Sequence, residues 1–126
     1  MTTAIIDYGM GNLGSLSRAL QKFTTDFIIS DDPEKILNSS RIILPGVGGF
    51  PVGMQNLKER RLDITIKEFA TEMNKPVLGI CLGMQLLATS SAEESQTNGL
   101  NLIEGTVERL NSFGCSYRLP HVGWNS

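Results

Sequence analysis

Five residues, Gly79-Ile80-Cys81-Leu82-Gly83, carry the strongest chemical signal in the sequence. An apolar run precedes them and the helix-forming run 84–88 follows, so the cysteine lies between a predicted strand and a predicted helix. A nucleophile framed by two glycines in this position is typical of a nucleophile elbow, a tight turn that pushes the side chain out of the sheet. The start of the following helix favours the thiolate, which is the reactive form. A lone cysteine is more often a small core residue, but this frame favours Cys81 as a nucleophile.

A glycine-rich segment, 46–51, is the second candidate for chemistry. Its backbone N–H groups, together with the N–H of Leu82, would suit the oxyanion of a tetrahedral intermediate. Taken alone, the segment is more often a tight turn between a strand and a helix. A phosphate-binding P-loop is excluded, because the sequence lacks Gly-x-x-x-x-Gly-Lys-Ser/Thr.

Alternating strands and helices position these segments. The pattern predicts four strands before the cysteine, at 3–8, 26–30, 41–44 and 76–80. Between them it predicts helices at 12–23, 52–60 and 62–73, and a turn or short helix at 31–37. Asn12 is the predicted cap of the first helix. Strands separated by helices indicate an α/β fold with three layers, a mostly parallel sheet and helices on both faces. In such a sheet the carboxyl ends of the strands bring segments 9–12, 46–51 and the elbow to one edge.

The pattern changes after residue 88. The polar segment 89–98 predicts a surface loop, 99–105 a bend, 106–110 a strand and 111–117 a hairpin turn. The last residues are apolar and aromatic, with an isolated Trp124 and no stop signal. We therefore expect a single domain over 1–126 that is incomplete at its carboxyl end.

Composition narrows the class of protein. The net charge of −2 gives no electrostatic basis for binding nucleic acid or an anionic membrane, and no apolar stretch approaches the length of a bilayer span. Two cysteines form neither a metal pattern nor a disulfide framework, so a reduced, cytoplasmic setting is expected. Nothing in the sequence indicates a metal, flavin or nucleotide cofactor.

Segments 79–85 and 45–48 together resemble the class I (triad) glutamine amidotransferases, a family with a flavodoxin-like fold. Three further segments, 7–13, 99–105 and 120–125, are similar to the branch that serves as glutaminase subunit of imidazole glycerol phosphate synthase. All of these segments occur in the order of that subunit's N-terminal part.

The resemblance implies that glutamine is hydrolysed and that its ammonia passes to a partner. Cys81 would attack the amide and form a glutamyl thioester, and the oxyanion would be bound by N–H groups of Leu82 and of Val47-Gly48. Glutamine would be positioned by Gln85 and Gly46. The partner would be a (β/α)8 cyclase subunit that makes imidazole glycerol phosphate in histidine biosynthesis. The residues implied at that interface are Asn12, His121, Trp124 and Asn125.

The triad's His and Glu have no match in the sequence. The only histidine, His121, matches the interface segment instead, so it is a poor candidate for the general base. A cysteine without a positioned base loses much of its activation, and the 126 residues alone are expected to be poorly active. Two alternatives stay open: an amidotransferase subunit of another synthase, such as one that modifies surface sugars, and a non-catalytic module that binds a partner.

Overall fold

Four parallel strands form the main sheet of the protein, in a computed structural model that describes residues 2–92 and 96–108. The strands are β1 (Thr3–Ile6), β2 (Phe27–Ser30), β3 (Arg41–Leu44) and β4 (Val77–Gly79). They lie in the order β2-β1-β3-β4. The four predicted strands and their parallel pairing are therefore confirmed.

Helices connect these strands, as the alternating pattern predicts. Their bounds are α1 (Leu13–Leu20), α2 (Pro33–Leu37), α3 (Phe50–Glu59) and α4 (Leu62–Lys67), followed by a π-helical turn (Glu68–Glu72) and, after β4, by α5 (Leu82–Leu86). The Asn12 side chain accepts a hydrogen bond from the Ser15 amide, 3.2 Å away, so the predicted cap is confirmed. Helix α1 ends three residues before Phe23, which is 86% exposed. None of the helices in the described residues is long and apolar enough to cross a bilayer.

The core lies on one face of the main sheet. Every second side chain of β1 and β3 points to this face and packs against helices α2 to α5 and the π-helical turn. These side chains are Ala4, Ile6, Ile42 and Leu44. The strand neighbours of these residues point the other way, toward the face where Leu20 of α1 lies beside Thr3 and Ile43. Apolar residues on both faces of β1 explain why this strand reads as a continuous apolar run.

A second, smaller sheet corrects the interpretation of residues 89–98. The sequence predicts a surface loop there, but the structure has β5 (Ala88–Ser91) and β6 (Thr97–Asn98), which pair with each other antiparallel. Strand β7 (Ile103–Val107) pairs with β5 in parallel and begins three residues before the predicted start. Small hydroxyl side chains explain the error, because Ser90 and Ser91 are polar yet buried. The predicted hairpin turn at 111–117 lies outside the described residues.

Candidate functional site

Cys81 occupies the turn between β4 and α5 in a backbone conformation that side chains rarely adopt. Its φ is 55° and its ψ is −122°, and its side chain is exposed. Such a conformation costs about 1–3 kcal/mol and persists only where the surroundings determine it. Several backbone hydrogen bonds hold the turn; among them, Ile80 N donates to the Leu44 carbonyl at 2.9 Å and Gly83 N to the Ile80 carbonyl at 3.0 Å. The fold therefore presents the thiol to solvent on a strained turn.

The two glycines of the frame are required by close contacts. A Cβ on Gly83 would lie 1.8 Å from the Leu44 carbonyl oxygen, and one on Gly79 would lie 2.6 Å from Cα of Met84. Both obstacles are backbone atoms, which cannot move aside as a flexible side chain can. The spacing Gly-x-Cys-x-Gly thus lets α5 start directly against the end of β3.

Helix α5 follows the cysteine but is only five residues long. It offers little more than one turn of aligned peptide dipoles, so its electrostatic contribution at Cys81 is smaller than the sequence pattern suggests. Gln85, the predicted substrate-positioning residue, lies on this helix and is partly buried, whereas Leu82 is buried. That Gln85 positions the substrate remains a prediction.

The Gly46–Val47 peptide is involved in the hydrogen bonds of two of the three predicted oxyanion donors, Leu82 N and Val47 N, the third being the N–H of Gly48. Its carbonyl oxygen, on Gly46, accepts a hydrogen bond from Leu82 N at 3.1 Å. Its N–H, on Val47, donates to the carbonyl of Met10. In this conformation neither N–H is available to an oxyanion beside Cys81. The next residue, Gly48, has φ +130°, which favours glycine, and the Val47 side chain is 69% exposed.

The three loops predicted to share the carboxyl edge do meet there. Besides the contacts of Gly46–Val47, a Cβ on Gly11 would lie 3.4 Å from the Pro45 ring, and one on Gly48 would lie 2.8 Å from the end of Met10. Asn12, from the predicted partner interface, is exposed at the start of α1. The other three interface candidates, His121, Trp124 and Asn125, lie outside the described residues.

Sequence reasoning missed Tyr8, which lies two residues after β1 and beneath the glycine-rich loop. It is 1% exposed, and its hydroxyl donates to the carbonyl of Pro45. Burial raises the pKa of Tyr8 well above its usual value, so the hydroxyl stays protonated as a donor. By its pattern, a tyrosine at the end of an apolar strand is an ordinary core residue. The one local feature that could have drawn attention to Tyr8 is the glycine that follows it, Gly9.

Other possible sites are poor candidates. In the part of the chain that the structure describes, no group of three or more His, Cys, Asp or Glu side chains is arranged to hold a metal ion. An open groove of about 360 Å³ is lined by Thr3, Arg41, Pro76 and Leu78, among others. Thr3 and Arg41 begin β1 and β3 and Pro76 precedes β4, whereas Cys81 lies beyond the carboxyl end of β4. The candidate site for chemistry is therefore the carboxyl edge.

Comparisons with known proteins show which family the chain resembles. Residues 4–124 match the family described as "Glutamine amidotransferase class-I". The chain is 50% identical over 122 residues to "Imidazole glycerol phosphate synthase subunit HisH" of Bacillus mycoides (strain KBAB4), covering 97% of this chain and 56% of that protein. It is 48% identical over 124 residues to the protein of the same name from Halalkalibacterium halodurans, covering 96% and 58%.

The fold is also similar to that of a solved structure. A "Crystal structure of glutamine amidotransferase" superimposes with a TM-score of 0.71 at 20% identity, covering 90% of this chain and 59% of that one. At this identity the likeness concerns the fold alone. In both kinds of comparison the chain spans little more than half the length of the proteins it matches.

Proposed function

Because the chain belongs to the class-I glutamine amidotransferase family, we propose that it forms the nucleophile-bearing part of a glutaminase. The enzyme would hydrolyse glutamine to glutamate and ammonia and pass the ammonia to a cyclase that makes imidazole glycerol phosphate. Membership of this family and the α/β fold follow from the match over residues 4–124. Glutamine hydrolysis is proposed for the whole protein. The observation that carries the proposal is the exposed Cys81 on its strained turn.

The reaction would proceed through a covalent intermediate. The Cys81 sulfur attacks the side-chain amide carbon of glutamine, the C–N bond breaks, and ammonia leaves once its nitrogen has been protonated. Water then hydrolyses the thioester, which releases glutamate and restores the thiol. The base that moves these protons would be a His supported by a Glu from sequence outside these 126 residues, since His121 matches a different segment.

Oxyanion binding would require the Gly46–Val47 peptide to turn. A rotation of about half a turn would exchange the positions of its oxygen and its N–H. Leu82 N would then lose its present acceptor, and Val47 N would leave Met10 and face the elbow. Two donors would become available by one local change, and removal of a single such donor typically costs about 10²–10³ in rate. The orientation of the Gly46–Val47 peptide would therefore determine whether the site can bind the oxyanion.

The partner would dock at the same edge. Asn12 is exposed beside the loop whose Met10 carbonyl holds Val47, so a protein bound over segment 9–12 would touch the element that restrains the peptide. The names of the similar proteins support a synthase subunit as the biological setting. A (β/α)8 cyclase is the partner that we propose.

The test is to assay the natural full-length protein with and without that cyclase, measuring glutamate release. A diazoketone analogue of glutamine would be added in parallel, and the labelled residue identified by mass spectrometry. We expect Cys81 to be labelled and Cys81→Ala to release no glutamate above background. Cys115→Ser is the matched control, because Cys115 lacks a glycine frame, and it should keep full activity.

Two results would contradict the proposal. Glutamate release by Cys81→Ala equal to that of the wild type would exclude Cys81 as the nucleophile. Binding of the cyclase with neither labelling nor glutamate release would favour the non-catalytic module. Glutamate release with a different synthase but not with the cyclase would support the glutaminase activity and contradict the proposed partner.

A further inference from the structure

Tyr8 holds the base of the glycine-rich loop from below. Its hydroxyl donates to the Pro45 carbonyl, which belongs to the peptide directly before Gly46–Val47. Pro45 is buried, so this carbonyl has no easy access to water. A buried carbonyl that loses its partner is costly, which makes the Tyr8 hydroxyl an anchor for the Pro45–Gly46 peptide.

The tyrosine is itself fixed at its backbone end. Its carbonyl accepts a hydrogen bond from Nδ2 of Asn56 on α3, at 3.1 Å. Nη1 of Arg60 in turn donates to the Asn56 carbonyl at 3.1 Å. With the backbone bound to α3 and the ring buried, the hydroxyl cannot follow the loop if the loop moves.

The hydroxyl also fills the space where Gly46 would otherwise carry a side chain. A Cβ on Gly46 would lie 2.1 Å from the Tyr8 hydroxyl and 3.0 Å from Cβ of Leu82. Gly46 is therefore enclosed between the anchor on one side and the elbow on the other. Its carbonyl accepts from Leu82 N and the following Val47 N–H donates to the Met10 carbonyl, so two of the three candidate oxyanion donors already have partners.

From these contacts we propose that Tyr8 is a positioning residue for glutamine hydrolysis: its hydroxyl fixes the Pro45–Gly46 peptide, so that rotation is confined to Gly46–Val47 and delivers the Val47 N–H to the oxyanion. The inference rests on the proposed glutaminase function and adds a residue to it. Tyr8 touches neither the substrate nor Cys81 in this role. It acts through the loop.

The role predicts a particular kinetic pattern. Oxyanion donors bind the transition state more strongly than the substrate, so a misplaced donor lowers kcat and leaves KM nearly unchanged. Loss of a whole donor typically costs about 10²–10³, and a donor that is present but less well placed should cost about tenfold. Tyr8→Phe keeps the buried ring and removes only the hydroxyl.

The experiment compares Tyr8→Phe with Thr65→Val in the natural full-length protein bound to its cyclase. Thr65 is the matched control because it is buried, donates to the Arg61 carbonyl at 2.7 Å and lies on α4, away from the elbow. Both variants lose one hydrogen bond from a hydroxyl to a backbone carbonyl. We expect kcat per titrated thiol to fall about tenfold in Tyr8→Phe with KM within twofold, and to change less than twofold in Thr65→Val.

A second measurement does not depend on turnover. Hydrogen exchange at the Val47 and Leu82 amides should be about fivefold faster in Tyr8→Phe than in Thr65→Val. Each variant loses one hydrogen bond, but only the bond lost in Tyr8→Phe restrains the glycine-rich loop. If the wild type hydrolyses no glutamine, the proposed function fails, and this exchange comparison still decides whether Tyr8 anchors the loop. Equal exchange in the two variants, or equal kcat values, would overturn the inference.

A double variant checks the geometry without any measurement of turnover. Gly46→Ala places a methyl group against the Tyr8 hydroxyl, so it should lower the yield of folded protein more in the wild-type background than in the Tyr8→Phe background. An identical effect in both backgrounds would mean that the hydroxyl does not lie against Gly46, and the anchor would be excluded.

Discussion

The two glycine-containing turns at the carboxyl edge of the sheet differ in how firmly the fold holds them. In the elbow, 79–83, hypothetical Cβ atoms would meet backbone at 1.8–2.6 Å. In the loop at 45–49, Gly46 is enclosed by the Tyr8 hydroxyl and Leu82, but Val47 is 69% exposed and a Cβ on Gly48 would meet only the flexible end of Met10. The position of the Cys81 backbone is therefore fixed by the fold on both sides, whereas the predicted donors depend on a peptide that is enclosed at Gly46 and exposed at Val47.

The largest expected effect comes from the tightest contact. Gly83→Ala would force a methyl group into the Leu44 carbonyl, and we expect it to lower the free energy of unfolding by more than about 4 kcal/mol. Urea denaturation followed by circular dichroism measures this. The control is Gly14→Ala on α1, where the nearest atom is a flexible Arg18 side chain at 3.5 Å. This control should be neutral or stabilising by up to about 1 kcal/mol, and equal losses in the two variants would contradict a rigid elbow.

The attachment of the loop through Tyr8 should appear at alkaline pH. Burial raises the pKa of Tyr8 above its ordinary value of 10.0. Above pH 10 the unfolded chain loses this proton while the folded chain keeps it, so stability falls as pH rises, by at most about 1.4 kcal/mol per pH unit. Denaturation between pH 9 and 11 should show this slope in the wild type and a smaller one in Tyr8→Phe. The same slope in both would mean that the hydroxyl is not buried.

A smaller effect is expected from the strain at Cys81. Glycine tolerates φ 55° and ψ −122° without the penalty of a side chain, although it adds entropy to the unfolded chain. We expect Cys81→Gly to be more stable than Cys81→Ala by about 1 kcal/mol. Thermal unfolding of the two variants side by side provides the measurement, with Ala as the matched side-chain control. If the alanine variant were as stable as the glycine variant, the turn would carry no strain.

The smallest effect is expected at the exposed loop. Val47→Ala should change the free energy of unfolding by less than about 0.5 kcal/mol, because little of the side chain is buried. It should also leave kcat nearly unchanged, since the proposed donor is the backbone N–H. Parallel denaturation and glutaminase assays test both statements. A loss of several kcal/mol would show that the loop is packed as firmly as the elbow.

Sequence reasoning succeeded where one residue type has a strong local meaning. The apolar run 42–44 contains two β-branched isoleucines and lies between polar residues and Pro45, so the strand at 41–44 could be predicted directly. Asn12 could be identified as a cap, and the family could be inferred from the segment around Cys81 together with segment 45–48. The strand at 88–91 was missed because small hydroxyl residues give no apolar alternation. The direction in which the Gly46–Val47 carbonyl points cannot be predicted from side-chain types. Likewise, no sequence pattern distinguishes Tyr8 from other aromatic core residues.

The strained turn at Cys81 has a consequence for the order of events during synthesis. The turn needs the end of β3 behind it and α5 packed in front, so it has no stable existence in a chain that is still unfolded. A newly made chain therefore carries an ordinary cysteine, and the specialised presentation of its sulfur arises only as the sheet closes. Reactivity toward a glutamine-like electrophile is thus also a test of maturation, because chains that fail to fold never acquire it.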